Sequence, residues 1–286
     1  MQFTTFIHNG ETRLGLVLGQ DVIDLHAAQP QVPPDLRQAL RAGIDLAAAA
    51  RAAQASDAPR LRLSDLTLAP LVPEPGKIVC LGLNYFDHAK EGGRDKPVYP
   101  WFFWRGASSL LAPGAKALRP RVSERLDWEA ELAVVIGKTT KHTTMDKALD
   151  AVFGYTCFND ISVRDYQKKT PQWSIGKNFD RTGGLGPVLV TADELPPGAS
   201  DLRIQARVNG QVMQDANTRD MIWGVAETIT LLSECLTLEP GDVIAMGTPA
   251  GVGQARTPPV WMKHGDVVEI EIENIGVLRN TIEDEA

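Results

Sequence analysis

The chain has 286 residues, 43% of them apolar, which is enough for a substantial core in one large domain or in one large and one small unit. A formal net charge of −7 and a pI near 5.3 give no chain-wide attraction to nucleic acid or to an anionic membrane. No stretch reaches the roughly 18 uncharged apolar residues of a membrane span, and the opening MQFTTFIHNG has no basic region followed by an apolar run, so a cytoplasmic protein without a membrane partner is expected.

Residues 1 to 25 alternate like paired strands, with Asn9-Gly10 and Leu18-Gly19 at turn positions where positive φ is wanted. Asp35 to Ala53, rich in Ala, Leu and Arg, predicts a helix, and the Pro-rich text that follows places a boundary near Pro73 to Gly76. The expected division is a small N-terminal domain over 1–73 and a catalytic domain over 74–286. Beyond the boundary, Lys77 to Leu83 predicts a strand, and Tyr85 to Glu91 a helical turn that Gly92-Gly93 would end, an arrangement suited to a lid. Further strands are expected at 128–136, 186–190, 203–214, 243–246 and 267–273, and helices at 144–151 and 222–235. Asn209-Gly210, Gly241 and Gly265 mark turns. Cys80, Cys157 and Cys235 show no zinc or CxxC spacing and are expected to be buried thiols.

The sequence Asp127-Trp128-Glu129-Ala130-Glu131-Leu132 carries the strongest chemical signal. On a strand, Trp128, Ala130, Leu132, Val134 and Ile136 share one face and Glu129 and Glu131 the other. Two neighbouring carboxylates opening an apolar strand repel each other and lose hydration, penalties that a cation removes. Asp160, which ends another apolar stretch, is the third candidate ligand. An all-oxygen set favours a hard ion, Mg²⁺ or Mn²⁺, with Ca²⁺ able to stand in for it in a crystal, and leaves about three coordination positions for a 2-oxo carboxylate and water. The competing reading is a solvated sheet face carrying alternating charge.

His88 and Glu91, three apart on a helical turn, form a candidate general-base dyad or a routine surface pair. Arg164 and Gln167 would project from one side of a helix after Asp160, with Arg164 suited to a bidentate grip on a substrate carboxylate. Lys177 is suited to stabilising a developing enolate, or else pairs with Asp180 in a loop. The Gly-rich runs at 183–186 and 247–253 match neither the dinucleotide fingerprint nor the P-loop, and predict tight turns with backbone donors near a ligand.

Taken in order, Cys80-Leu81-Gly82-Leu83-Asn84-Tyr85 with His88 and Glu91, Asp127 to Leu132, Asn159 to Asp165, Lys177 to Asp180, Val208-Asn209-Gly210 and Pro240 to Ile244 with Gly247-Thr248-Pro249 resemble the fumarylacetoacetate hydrolase family from about Lys77 to Asn280. The resemblance implies an α+β, mainly β fold, a mixed β-sandwich roll with a small N-terminal α+β region, and a homodimer. It implies metal ligation by Glu129, Glu131 and Asp160, catalysis by His88 and Glu91 on a lid with Lys177, and a substrate pocket formed by Arg164, Gln167, Thr248 and Tyr85. One departure is Arg105-Gly106, where relatives carry lysine and proline, and it is expected to bear on the substrate side of the pocket. The activity so implied is metal-dependent hydrolysis of a C–C bond in an acylpyruvate-like 2,4-dioxo acid. Isomerisation or decarboxylation of a diene-dioate in aromatic catabolism is the alternative, and a non-catalytic ligand-binding relative a more distant one.

Overall fold

The computed structural model describes residues Met1–Ala286. The fold is α+β and mainly β, with a twelve-stranded sheet between a layer of N-terminal helices and a five-stranded sheet. The strand Ala130–Ile136 lies inside the large sheet, antiparallel to Val152–Asp160 on one side and to Val243–Ala245 on the other.

Its alternation sorts the core. Trp128, Ala130, Leu132, Val134 and Ile136 face Ile204, Ala206, Ile270 and Ile272 of the smaller sheet, whereas Ala133 and Val135 belong with Phe3, Leu36, Leu46 and Ala50 on the helical side. The predicted faces are therefore those observed, but both are buried, so the solvated-face reading of Glu129 and Glu131 does not hold.

The N-terminal stretch is built into the same sheet, because Gln2 and Phe3 pair with Val190 and Leu189. Its helices Leu25–Ala28, Leu36–Arg41 and Leu46–Gln54 each start on an aspartate, Asp24, Asp35 and Asp45, whose carboxylate accepts a backbone N–H of the first turn. The single helix expected over 35–53 is thus two, broken at Gly43, whose φ is +68°.

Other boundaries differ for local reasons. Ile222 and Trp223 donate their N–H groups to Asn84, so the helix expected from 222 begins at Val225. The helix expected over 144–151 is a single turn, Ala148–Ala151, because Thr143 is tied to Ser233. Gly183 to Gly186 do not form a turn but open the strand Gly183–Thr191, and Cys235 is exposed rather than buried.

The wholly buried Leu132 sits where the two sheets meet. Leu132→Ala should destabilise the protein by roughly 2–5 kcal/mol in urea unfolding, against less than about 1 kcal/mol for Val277→Ala on an exposed strand position.

Candidate active site

Antiparallel pairing assembles the acidic cluster. Glu131 stands opposite Phe158, and Asp160 donates its N–H to the Glu129 carbonyl at 3.0 Å, which sets Asp160 beside Glu129 with Glu131 two residues along. Carboxylate oxygens of the three lie within 4.8 Å of one another, and all three residues are buried.

Three cations compensate this charge. Lys177 Nζ bridges Glu129 Oε2 at 2.7 Å and Asp160 Oδ2 at 2.6 Å, so it does not pair with Asp180. Arg164 donates from Nε to Asp127 Oδ2 at 2.8 Å and from Nη1 to Gln167 Oε1 at 3.0 Å, and it forms a 2.6 Å ion pair from Nη1 to Glu129. The expected bidentate fork is therefore largely engaged by the protein, and Nη2 is the Arg164 nitrogen left without a partner. Arg105, fully buried, bonds Asp160 Oδ1 and donates to Thr182 at 2.8 Å. It stands behind the acidic cluster and not on the cavity wall, which corrects its expected place on the substrate side.

The neighbours divide the two glutamates. Burial pushes the Glu129 carboxyl up, but Lys177 and Arg164 outweigh it and hold it at about 2. Glu131 has no cation of its own and accepts from Gly247 N–H at 2.9 Å. Burial, then Asp160 and Glu129, push its carboxyl well above the ordinary range. A buried all-oxygen cluster with one undercompensated carboxylate fits a hard divalent cation.

The dyad forms on the helix Phe86–Glu91, with His88 Nδ1 2.8 Å from Glu91 Oε1. His88 is buried, not a surface histidine, and both residues line a cavity of about 300 Å³ shared with Glu129, Lys177, Arg164, Gln167 and Thr248. Leu81, Leu83, Phe103, Trp173 and Val252 supply its apolar wall. Tyr85 is buried but absent from this lining; it stands just before the helix Phe86–Glu91 and forms a β-bridge with Met221.

The loop 247–253 carries donors, as expected, but they serve the protein's own carboxylates. Gly247 N–H bonds Glu131, Gly251 N–H bonds Glu91 Oε2 at 2.8 Å, and Gly253 N–H bonds Asp127 Oδ1 at 2.7 Å. Gly251 has φ +106°, and a Cβ there would lie 2.2 Å from the Met213 carbonyl oxygen. Gly176 is needed for a close approach: a Cβ would meet the Gln167 backbone N at 2.3 Å, so its absence lets the turn Ser174–Lys177 bring Lys177 to the cluster.

Sequence reasoning missed Asp127 as the partner of Arg164, and it missed Gln214, which accepts from Ala130 N–H at 2.9 Å and donates to Thr248 Oγ1 at 2.7 Å. Asp127 had a local signal, as the polar residue opening a buried strand; Gln214 had none.

Fold and site together define a mixed β-roll carrying a buried acidic cluster that could hold a metal ion beside a cavity. Residues 77–283 match the fumarylacetoacetate (FAA) hydrolase C-terminal family model, and the chain belongs to that family. It is 42% identical over 273 residues to the human mitochondrial protein named oxaloacetate tautomerase FAHD2A, covering 94% of this chain and 87% of that one. Among solved structures, a fumarylacetoacetate hydrolase from Exiguobacterium antarcticum superposes with TM-score 0.85 at 34% identity, and the maleylpyruvate hydrolase of Sphingobium sp. SYK-6, in complex with manganese(II) and pyruvate, with TM-score 0.82 at 30% identity; each match covers 100% of both chains. These relatives are enzymes.

Two outcomes follow. Glu131, raised when folded, contributes stability below the ordinary value of 4.5 and loses it as pH rises; Glu129, held at about 2, contributes above 4.5 and loses it as pH falls towards 2. At pH 7 without metal, Glu131→Gln should therefore raise the melting temperature, whereas Mn²⁺ at about 100 times Kd should add about 2.7 kcal/mol to the parent and far less to the variant, read by calorimetric melting. Gly93→Ala, at φ +70° with open space around it, should cost about 1 kcal/mol. Gly251→Ala should cost more than twice that and depress turnover, since its added clash displaces the donor that holds Glu91.

Proposed function

We propose that this chain transfers a proton at the carbon beside the carbonyl of a short 2-oxo acid, interconverting keto and enol forms as in oxaloacetate tautomerisation. The carrying observation is the His88–Glu91 pair at 2.8 Å inside the cavity that also holds Glu129 and Lys177. Glu129, Glu131 and Asp160 would hold Mg²⁺ or Mn²⁺, which when bound supplies Lewis acidity at the 2-oxo carboxylate.

The chain's own groups account for the proton movement. Glu91 is fixed by Gly251 N–H and occupies His88 Nδ1, so Nε2 is the nitrogen left to the cavity. That nitrogen would take the C3 proton of the keto form, with Glu91 stabilising the imidazolium, and pass it to the 2-oxo oxygen to give the enol; the reverse passage returns the enol proton to C3. Burial alone would lower the Lys177 ammonium's pKa, but Asp160 and Glu129 outweigh it and raise it, so Lys177 stays charged beside the site where enolate charge develops. Arg164 Nη2, without a partner of its own, and Gln167 would orient the carboxylate from the cavity wall.

The 42% identity to a protein named oxaloacetate tautomerase supports this reading. C–C hydrolysis of an acylpyruvate-like acid is the second reading, favoured by the same dyad, which can deprotonate water as well as carbon, and by the maleylpyruvate hydrolase likeness.

Loss of oxaloacetate enol absorbance is the direct test. Catalysis should require Mg²⁺ or Mn²⁺ and fall at least about 10²-fold in His88→Ala. Inactivity on oxaloacetate combined with pyruvate release from acetylpyruvate would replace tautomerisation by hydrolysis.

A further inference from the structure

Of the cations around the cavity, Lys177 is claimed by Glu129 and Asp160, and Arg164 by Asp127 and Glu129. Arg94 and Lys168 line the same cavity without a carboxylate partner; each is fastened through its backbone, Arg94 N–H to the Ala89 carbonyl and Lys168 N–H to the Arg164 carbonyl. A pair of unclaimed cations on a small, partly apolar cavity is a site for an anionic group.

A chain of aromatic contacts separates Arg94 from the acidic cluster. The Arg94 guanidinium lies 5.0 Å from the Trp101 ring centre, Trp101 packs on Trp173 at 5.1 Å, Trp173 meets Phe103 at 5.9 Å, and Lys177 Nζ lies 5.2 Å from Phe103. Three packed rings thus link the cation that touches the acidic cluster to Arg94. The stack depends on Gly82, where a Cβ would lie 2.1 Å from the Trp173 ring. Cation–π contact orients Arg94 without using its hydrogen-bond donors. Lys168 has its ammonium pushed down by burial and by the guanidinium groups of Arg164, Arg125 and Arg94, which outweigh the Asp127 carboxylate acting the other way, so a net positive potential remains for an anion to relieve.

We propose that Arg94 and Lys168 bind the distal carboxylate of the substrate and so select a 2-oxo dicarboxylate over the monocarboxylate that shares its head group. This rests on the 2-oxo acid reading above, and it adds the residues that read the other end of the molecule. Because Arg94 follows Gly93 directly after the helix that carries His88, engagement of the distal carboxylate would also draw the base over the substrate.

The test is calorimetric binding of L-malate and L-lactate to Mg²⁺-loaded protein, since both are unreactive and differ by the terminal carboxylate. The parent should bind malate at least about tenfold more tightly than lactate. Arg94→Gln and Lys168→Gln should each remove about tenfold of malate affinity with lactate affinity unmoved, and Arg94→Lys should recover part of it. Equal affinity of the parent for the two acids, or variants that weaken both alike, would overturn the proposal. Malate preference intact without enol turnover of oxaloacetate would instead count against tautomerisation and leave the carboxylate site standing.

Discussion

Three carboxylates held within 4.8 Å of one another in the dry interior of a sheet repel each other, and the surrounding structure is arranged around that repulsion. Lys177 and Arg105 take the two oxygens of Asp160, Arg164 and Lys177 hold Glu129 ionised, and Glu131 is left with a backbone N–H. The compensation is uneven by construction. It is strong enough to keep the cluster buried and incomplete at Glu131, where a divalent charge would gain most.

The fold supplies this geometry without a dedicated metal loop. Antiparallel register sets Asp160 against Glu129, and the two-residue period brings Glu131 to the same face. Separate apolar layers bury both faces of the sheet around the acidic residues, and Glu129 alone of the three reaches the cavity wall. The N-terminal helices, distant in sequence from the chemistry, close the side of the sheet on which the acidic residues lie, next to Ala133 and Val135. Their packing is therefore part of what buries the cluster.

Much of this was legible in the sequence because it depended on local period and residue type. Alternation across Trp128 to Ile136 placed Glu129 and Glu131 on one face, and Asn9-Gly10 and Asn209-Gly210 located hairpins whose residues do have positive φ. The spacing of His88 and Glu91 identified the dyad, but only the fold decides between a surface pair and a buried one. What spacing does not carry is partnership across the chain. The Arg105 contact with Asp160, the Asp127 grip on Arg164, the Gln214 link to Thr248 and the burial of Tyr85 away from the cavity all join segments far apart in sequence. The same limit explains the loop 247–253, whose donors were foreseen and whose acceptors were not.

That loop also explains how a single framework can serve different reactions. Through Gly247, Gly251 and Gly253 it holds Glu131, Glu91 and Asp127, and so fixes together a candidate metal ligand, the residue that orients His88 and the residue that orients Arg164. Backbone donors lack side-chain freedom, and a positive φ at Gly247 and Gly251 leaves little room for substitution there. His88, the acidic cluster and Arg164 are therefore tied through one loop into one relative geometry. Beyond them the cavity presents the rings of Phe103 and Trp173, with Trp173 packed on Trp101, and the cations Arg94 and Lys168. Proton transfer to carbon and attack by water both begin with a carbonyl polarised in the same place, so the choice between them falls to how the substrate's distal end is held and whether a water shares the space beside His88.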